Sequence, residues 1–148
     1  MTKNTSPLSA RFNIYMSLVQ SHLNFGILIY GAANQTSINL LQAQQNKAIR
    51  HVANAHYNSH TDPFNIGFKI LKFKDLIDYN RKIFMFQYKH SLLPDSFENF
   101  FTYAKEVGQN RLRESEGNFI LPTNNKKLNI TFPHIELVKS WNHTSYID

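Results

Sequence analysis

The chain has 148 residues, including 12 Phe, seven Tyr and one Trp, which suggests a single domain with enough aromatic bulk for a core. Sixteen Lys and Arg against ten Asp and Glu give a formal charge of +6, which either favours a polyanionic partner, nucleic acid before an anionic membrane, or only keeps the protein soluble. Because there is no Cys, disulfides, thiolate metal sites and cysteine nucleophiles are excluded.

The first predicted element is a long helix in an uncharged part of the chain. Residues 13–46 contain no Lys, Arg, Asp or Glu, and a stretch that avoids charge for so long is normally buried. Apolar side chains recur at helical spacing on most sides and predict a helix over residues 9–33. Gly26 lies within this helix at a cost of about 1 kcal/mol in helix propensity relative to Ala, and we expect it to allow the close approach of another helix.

A second predicted helix, over residues 37–55, follows a short polar break, with Thr36 or Ser37 as its N-cap. One side of it is apolar, and the opposite side carries a basic ridge that includes Lys47 and Arg50. Because the break is short, we expect the first two helices to form an antiparallel hairpin.

A third long helix is predicted over residues 74–92, after a connector (56–73) that contains at most a short helix. Its apolar side is predicted to carry Leu76, Tyr79, Ile83, Phe86 and His90, with Ile77, Phe84 and Tyr88 beside them. Its outer face is predicted to carry Asp78, Lys82, Met85 and Lys89.

The pattern as a whole predicts a mainly α fold in three parts. Residues 1–8 form a polar N-terminal tail and residues 9–103 a helical domain. Residues 104–148 form an extended tail with at most a short strand, ending in a short helix over residues 134–141.

Membrane insertion and secretion are not expected. The longest apolar run, residues 25–33, has nine residues, whereas a membrane span needs about 20. The N-terminus lacks the apolar core of a signal peptide. We therefore expect an intracellular protein, with nucleus and cytoplasm both left open.

Catalytic machinery is not evident in the sequence, and we predict no catalytic residues, no metal and no cofactor. The chain has five aspartates, none adjacent, and Asp75 and Asp78 lie one turn apart on a helix among Lys and Arg. His56 and His60 have a spacing that ligates metal on a helix, but His60 falls in a predicted turn before Pro63.

An ordered set of short motifs runs through most of the chain. It begins with Ser-His-Leu-x-Phe-Gly-Ile and continues with Gln-x-Lys-Ala-Ile-Arg, His-Thr-Asp-Pro-Phe and Phe-Met-Phe-x-Tyr-Lys. In this order, the set resembles the thumb and the following helical region of non-LTR (LINE-like, jockey-type) retrotransposon reverse transcriptases. The matching pieces are residues 15–31, 41–50, 60–64, 71–89, 93–97, 110–122 and 141–142.

The resemblance implies part of a polymerase without its catalytic centre. The palm of such enzymes holds metal ions with aspartates that include an adjacent pair, and the present chain has no such pair. In the family, thumb helices hold the template–primer duplex. The resemblance therefore implies a non-catalytic fragment that binds RNA or RNA–DNA duplex weakly and without sequence preference.

The same resemblance assigns the binding role to exposed cations of the second and third helices, because cations along a helix contact successive phosphates. These are Lys47, Arg50, Lys82 and Lys89, which would otherwise be ordinary solvated side chains. Two alternatives remain: a protein-interaction module whose apolar face binds a separate palm domain or another protein, and an inert relic of a mobile element.

Overall fold

A computed structural model describes residues 6–104, 117–121 and 133–144. In these residues the protein is mainly helical and has no β-strand, which confirms the predicted mainly α class. No helix in this part of the chain combines the length and the apolar character that crossing a bilayer requires.

The chain divides into two compact units, residues 1–77 and residues 78–148. The division falls inside the third long helix, and not near residue 104, where the composition of the sequence becomes polar. Composition therefore does not mark the boundary between the units.

The first unit opens with a broken helical segment, so the prediction of one continuous helix over residues 9–33 is wrong. The break separates a longer first part from a single helical turn. In chain order, the elements are α1 (Leu8–Ile14), a π-helical segment (Tyr15–Gln20), α2 (Ser21–Asn24) and α3 (Ile27–Tyr30).

The break has its physical cause in Phe25 and Gly26. Phe25 is extended, with ψ of 118°, and Gly26 has φ of +66°, a left-handed conformation that favours glycine. A Cβ on Gly26 would lie 3.5 Å from the ring of Tyr30, an ordinary contact, so the predicted role in helix–helix approach is wrong. That role belongs to Gly31, where a Cβ would lie 3.0 Å from Cγ2 of Ile77.

The second helix, α4, spans Gln35–Ala53. Its N-cap is Asn34, whose side-chain oxygen accepts a hydrogen bond from the backbone nitrogen of Ser37 at 2.9 Å. The predicted caps Thr36 and Ser37 instead lie inside the first turn. The predicted apolar stripe is buried or half-buried; its members are Ile38, Leu41, Gln45, Ala48, Ile49 and Val52.

The predicted antiparallel hairpin is confirmed by contacts that pair early residues with late ones. Arg11 near the start of the segment donates from Nε to the backbone oxygen of Val52 at 2.9 Å. Further along, Nε2 of Gln45 donates to the hydroxyl of Tyr15 at 3.2 Å. The apolar core beside the break contains Leu23, Ile27, Ile38, Phe73, Leu76 and Ile77.

The connector contains a short helix, α5 (Asp62–Phe68), and leads into α6 (Phe73–Lys89). Two glutamines of α4 hold the start of α6 in place. Gln42 Oε1 accepts from the backbone nitrogen of Phe73 at 2.7 Å, and Gln45 Nε2 donates to the backbone oxygen of Leu71 at 2.9 Å.

In the second unit, the predicted orientation of the third helix is wrong in part, since Lys82 and Lys89 are exposed and Phe84 and Tyr88 half-buried as predicted. Met85, predicted on the outer face, is completely buried, whereas Tyr79, Ile83 and Phe86 are exposed. The cause is a Phe-rich segment after the helix, which packs against a different side of α6. Ring contacts join Phe84 to Phe97 at 5.6 Å, Tyr88 to Phe101 at 4.9 Å and Tyr88 to Phe119 at 5.6 Å.

The rest of the second unit contains a 3₁₀ turn (Asp95–Phe97) and α7 (Pro133–Thr144). Most of the loop predicted after residue 104 lies outside the described residues. The described part pairs Phe119 with Tyr103 in one antiparallel bridge. Asn142 of α7 holds this bridge through two hydrogen bonds to the backbone of Phe119, at 3.1 and 2.9 Å.

Candidate nucleic-acid interface

The outward side of α4 is polar and carries Lys47. Because the opposite stripe is buried, residues at helical spacing from Lys47 also face outward, and Gln44, His51 and Asn54 are all exposed. Lys47 forms no ion pair with another described residue. Its ammonium group is therefore available to a phosphate.

Arg50, one turn after Lys47, is half-buried and has a role inside the chain. Its Nε donates to the backbone oxygen of Ser59 at 2.8 Å, which ties the loop after α4 to the helix. A guanidinium group carries five N–H donors, so this bond uses only one of them. Arg50 is thus a weaker candidate for a phosphate contact than Lys47.

Lys82 and Lys89 lie two turns apart on α6, in the second unit, and both are exposed. Neither forms an ion pair with another described residue. The ammonium group of Lys89 lies 5.6 Å from the ring centroid of Trp141, in a cation–π contact. Trp141 itself donates from Nε1 to the backbone oxygen of Gly117 at 3.0 Å, which attaches α7 to the preceding segment.

Two other described cations of the second unit, Arg81 and Lys139, are paired with carboxylates. Arg81 lies 3.4 Å from Asp78 and 3.8 Å from Glu136, and Lys139 lies 3.0 Å from the same glutamate. Within the second unit, these contacts leave Lys82 and Lys89 as the α6 cations that face solvent without a carboxylate partner among the described residues.

The positive charge is distributed unevenly along the chain. The first unit holds seven of the Lys and Arg but only two of the Asp and Glu, for a formal charge of +5, whereas the second holds nine and eight, for +1. The first acidic residue of the chain is Asp62. The side chains of α4 therefore provide cations and amides without a carboxylate.

A further cationic group was missed by the sequence reasoning. Lys69, Lys72 and Lys74 are exposed around the start of α6. Lys72 is paired with Asp62 at 3.0 Å, and Asp75 is also exposed nearby in sequence. Three lysines within six residues are visible in the sequence, but the stretch was interpreted only from its apolar residues.

The described ranges contain no cluster of side chains suited to a metal ion. There, no three His, Asp or Glu side chains lie close enough together to hold a metal ion. Burial raises the pKa of two tyrosine hydroxyls, Tyr15 and Tyr30, but both pack in the hairpin core and not on the cationic surface.

Comparisons with protein-family models, with curated proteins and with solved structures give no match to this chain. The resemblance to a reverse-transcriptase thumb therefore depends on the ordered motifs of the sequence itself.

Proposed function

We propose that this protein is a non-catalytic helical module, thumb-like in origin, that binds RNA or RNA–DNA duplex without sequence preference. The positions proposed to contact phosphates are Lys47 and Arg50 on α4 and Lys82 and Lys89 on α6. The phosphate backbone supplies the affinity in such binding, so the interaction is salt-sensitive and indifferent to base sequence.

The observation that carries this proposal is the charge of the first unit. A formal charge of +5 over 77 residues, with α4 presenting Lys47 on a face free of carboxylates, is the electrostatic pattern that a polyanion requires. Thumb helices of the family that the sequence resembles hold the template–primer duplex, which is the role proposed here for α4 and α6.

The test is fluorescence anisotropy of a labelled RNA–DNA duplex at several salt concentrations. We expect the logarithm of the affinity to fall linearly with the logarithm of the salt concentration. Lys47→Ala should weaken binding to all duplex sequences alike and reduce the magnitude of that slope by about 1, because one phosphate contact is lost.

The matched control is Lys139→Ala, which removes an exposed lysine whose charge is already paired with Glu136. It should leave the slope unchanged. Arg50→Ala needs a parallel urea denaturation, since it also removes the hydrogen bond to Ser59. A slope that is the same in the wild type and in Lys47→Ala would remove α4 from the interface.

A second candidate function is protein binding through the apolar surface of the broken first segment. Ile14, Leu18, Phe25 and Ile29 are all exposed, and Phe25 is 84% exposed. Large exposed apolar patches mark interaction sites. For a thumb-like module, the natural occupant of this surface is a separate palm domain.

Sedimentation velocity tests this second candidate. A protein that uses the apolar surface should self-associate as its concentration rises, and Phe25→Asp with Ile29→Asp should restore a monomer. Ile66→Asp, at an equally exposed isoleucine of α5, serves as the control and should not change association. A wild-type protein that stays monomeric at all concentrations would argue against this function, and an inert relic would show neither activity.

A further inference from the structure

We propose that the exposed face of α6 in the second unit is a stacking platform for the unpaired bases of a single-stranded nucleic acid. The proposal rests on the proposed function, because it assumes that the chain binds nucleic acid. It goes beyond that function in naming a second kind of ligand, an unpaired strand, and the side chains that receive its bases.

The platform consists of Tyr79 and Phe86, two aromatic side chains on one face of α6. Tyr79 is 54% exposed and Phe86 48% exposed. Seven residues separate them, which is two helical turns or about 10 Å along the helix. That distance suits two bases of an extended strand with another nucleotide between them.

Neighbouring side chains widen the aromatic surface. The ring of His90 lies 4.3 Å from that of Phe86, with a tilt of 44°. Ile83, between the two aromatic positions, is also exposed. The buried side of α6 lies elsewhere on the helix, at Met85.

The charges beside the platform fit a polyanionic strand. Lys82 and Lys89 lie beside the aromatic residues, and neither is paired with a carboxylate among the described residues; Lys89 also contacts the ring of Trp141. The one acidic side chain of this stretch of α6, Asp78, lies 3.4 Å from Arg81. A backbone that follows the lysines places its bases over the rings.

The same pattern argues against a protein as the occupant of this face. The apolar surface of the first segment lies in a stretch without lysine, and lysine is depleted in protein interfaces. On α6, by contrast, aromatic residues and lysines alternate. This combination is the one that binds single strands without base preference, through stacking and phosphate contacts.

The test measures anisotropy of three labelled ligands with the full-length protein. They are an oligothymidine of about 12 nucleotides, an abasic strand of the same length and backbone, and an RNA–DNA duplex. Stacking predicts that the oligothymidine binds about tenfold or more tightly than the abasic strand, which has the phosphates without the bases. Equal affinity for these two strands would overturn the proposal.

The variant Tyr79→Ala/Phe86→Ala should lose about tenfold or more in affinity for oligothymidine and keep its affinity for the duplex. Its matched control is Tyr57→Ala/Phe100→Ala, which removes one Tyr and one Phe that are 80% and 53% exposed outside α6. That control should bind oligothymidine like the wild type. The conservative exchange Tyr79→Phe/Phe86→Tyr should also retain binding, because both rings remain.

The two proposals fail in distinguishable ways. A wild-type protein that binds neither the duplex nor the single strand would refute the proposed function and, with it, the platform. Duplex binding that depends on Lys47, together with single-strand binding that does not respond to Tyr79→Ala/Phe86→Ala, would refute the platform alone. Self-association abolished by the same double substitution, without any effect on oligothymidine, would identify the face as a protein interface instead.

Discussion

Gln45 joins three parts of the hairpin through one carboxamide. The side chain is 0% exposed, donates to the Tyr15 hydroxyl and to the backbone oxygen of Leu71, and accepts from Gln42 Nε2 at 3.0 Å. A buried polar group is tolerated when its hydrogen bonds are made, and here they also fix the register of three elements. Gln45 therefore specifies the arrangement as well as filling space.

Replacing Gln45 with Leu should destabilise the protein, although the new side chain is apolar. The partly buried backbone oxygen of Leu71 and the buried hydroxyl of Tyr15 both lose this donor, and each lost hydrogen bond costs about 0.5–1.5 kcal/mol. Urea denaturation should show a lower midpoint for Gln45→Leu. The neighbouring exposed Gln44 is the control, and Gln44→Leu should change the free energy of unfolding by no more than about 0.5 kcal/mol. Equal midpoints for the two variants would contradict the role given to Gln45.

The buried hydroxyl of Tyr15 makes stability depend on alkaline pH. Burial raises the pKa of Tyr15 above its usual value of 10.0, and the hydrogen bond from Gln45 offsets this in part. Above pH 10 the unfolded chain ionises this tyrosine first, so the contribution of the neutral form is lost as the pH rises toward the folded pKa. Unfolding free energies measured between pH 8 and about pH 11 should fall less steeply in Tyr15→Phe.

Replacing a glycine with alanine should lower the free energy of unfolding at the end of α2 and raise it inside α5. Gly26→Ala should lower the free energy of unfolding by about 1–2 kcal/mol, because alanine resists the left-handed conformation that ends α2. Gly67 lies inside α5 with no atom within 4 Å of a new Cβ, so Gly67→Ala should raise it by about 0.5–1 kcal/mol. Thermal melts of the two variants should therefore shift in opposite directions.

Helix boundaries show which features could be predicted from the sequence and which could not. Hydrophobic spacing placed α4 and α6 within two or three residues, because their buried stripes follow local periodicity. The break at Gly26 was missed, since an apolar sequence looks the same on both sides of a left-handed residue. The buried side of α6 was misassigned because residues beyond the helix, Phe97 and Phe119 among them, determine it.

For the candidate interface, the sequence was enough to predict which cations are exposed, but not which of them make contacts elsewhere in the fold. Exposure of Lys47, Lys82 and Lys89 follows from their helical positions, and the structure shows all three exposed. The bond from Arg50 to Ser59 is a tertiary contact with a loop oxygen, which no spacing rule indicates. The aromatic platform was hidden for a similar reason, because its residues were assigned to the core.

For the whole molecule, the uneven charge has a direct consequence for where a duplex binds. A unit of formal charge +5 attracts a polyanion more strongly than one of +1, and the difference grows as the salt concentration falls. Nucleic acid should therefore occupy the first unit at duplex concentrations too low to occupy the second.

This expectation can be measured by two-dimensional NMR of the labelled amide groups. During titration with an RNA–DNA duplex at low salt, resonances of α4 should shift first, and those of α7 should change little. A duplex that perturbs α7 before α4 would show that net charge does not direct binding. Repeating the titration with Lys47→Ala should require more duplex for the same shift.

The π-helical segment at Tyr15–Gln20 has a consequence for the length of the chain. Hydrogen bonds from residue i to i+5 enclose one residue more than those of an α-helix, so the segment accommodates an inserted residue without redirecting the helix beyond it. Tyr15 on one side and Leu23 on the other both keep their contacts in the hairpin core. Removing an exposed residue such as Ser17 would convert the segment to regular α-helix, which makes this the natural place for insertions and deletions in the hairpin.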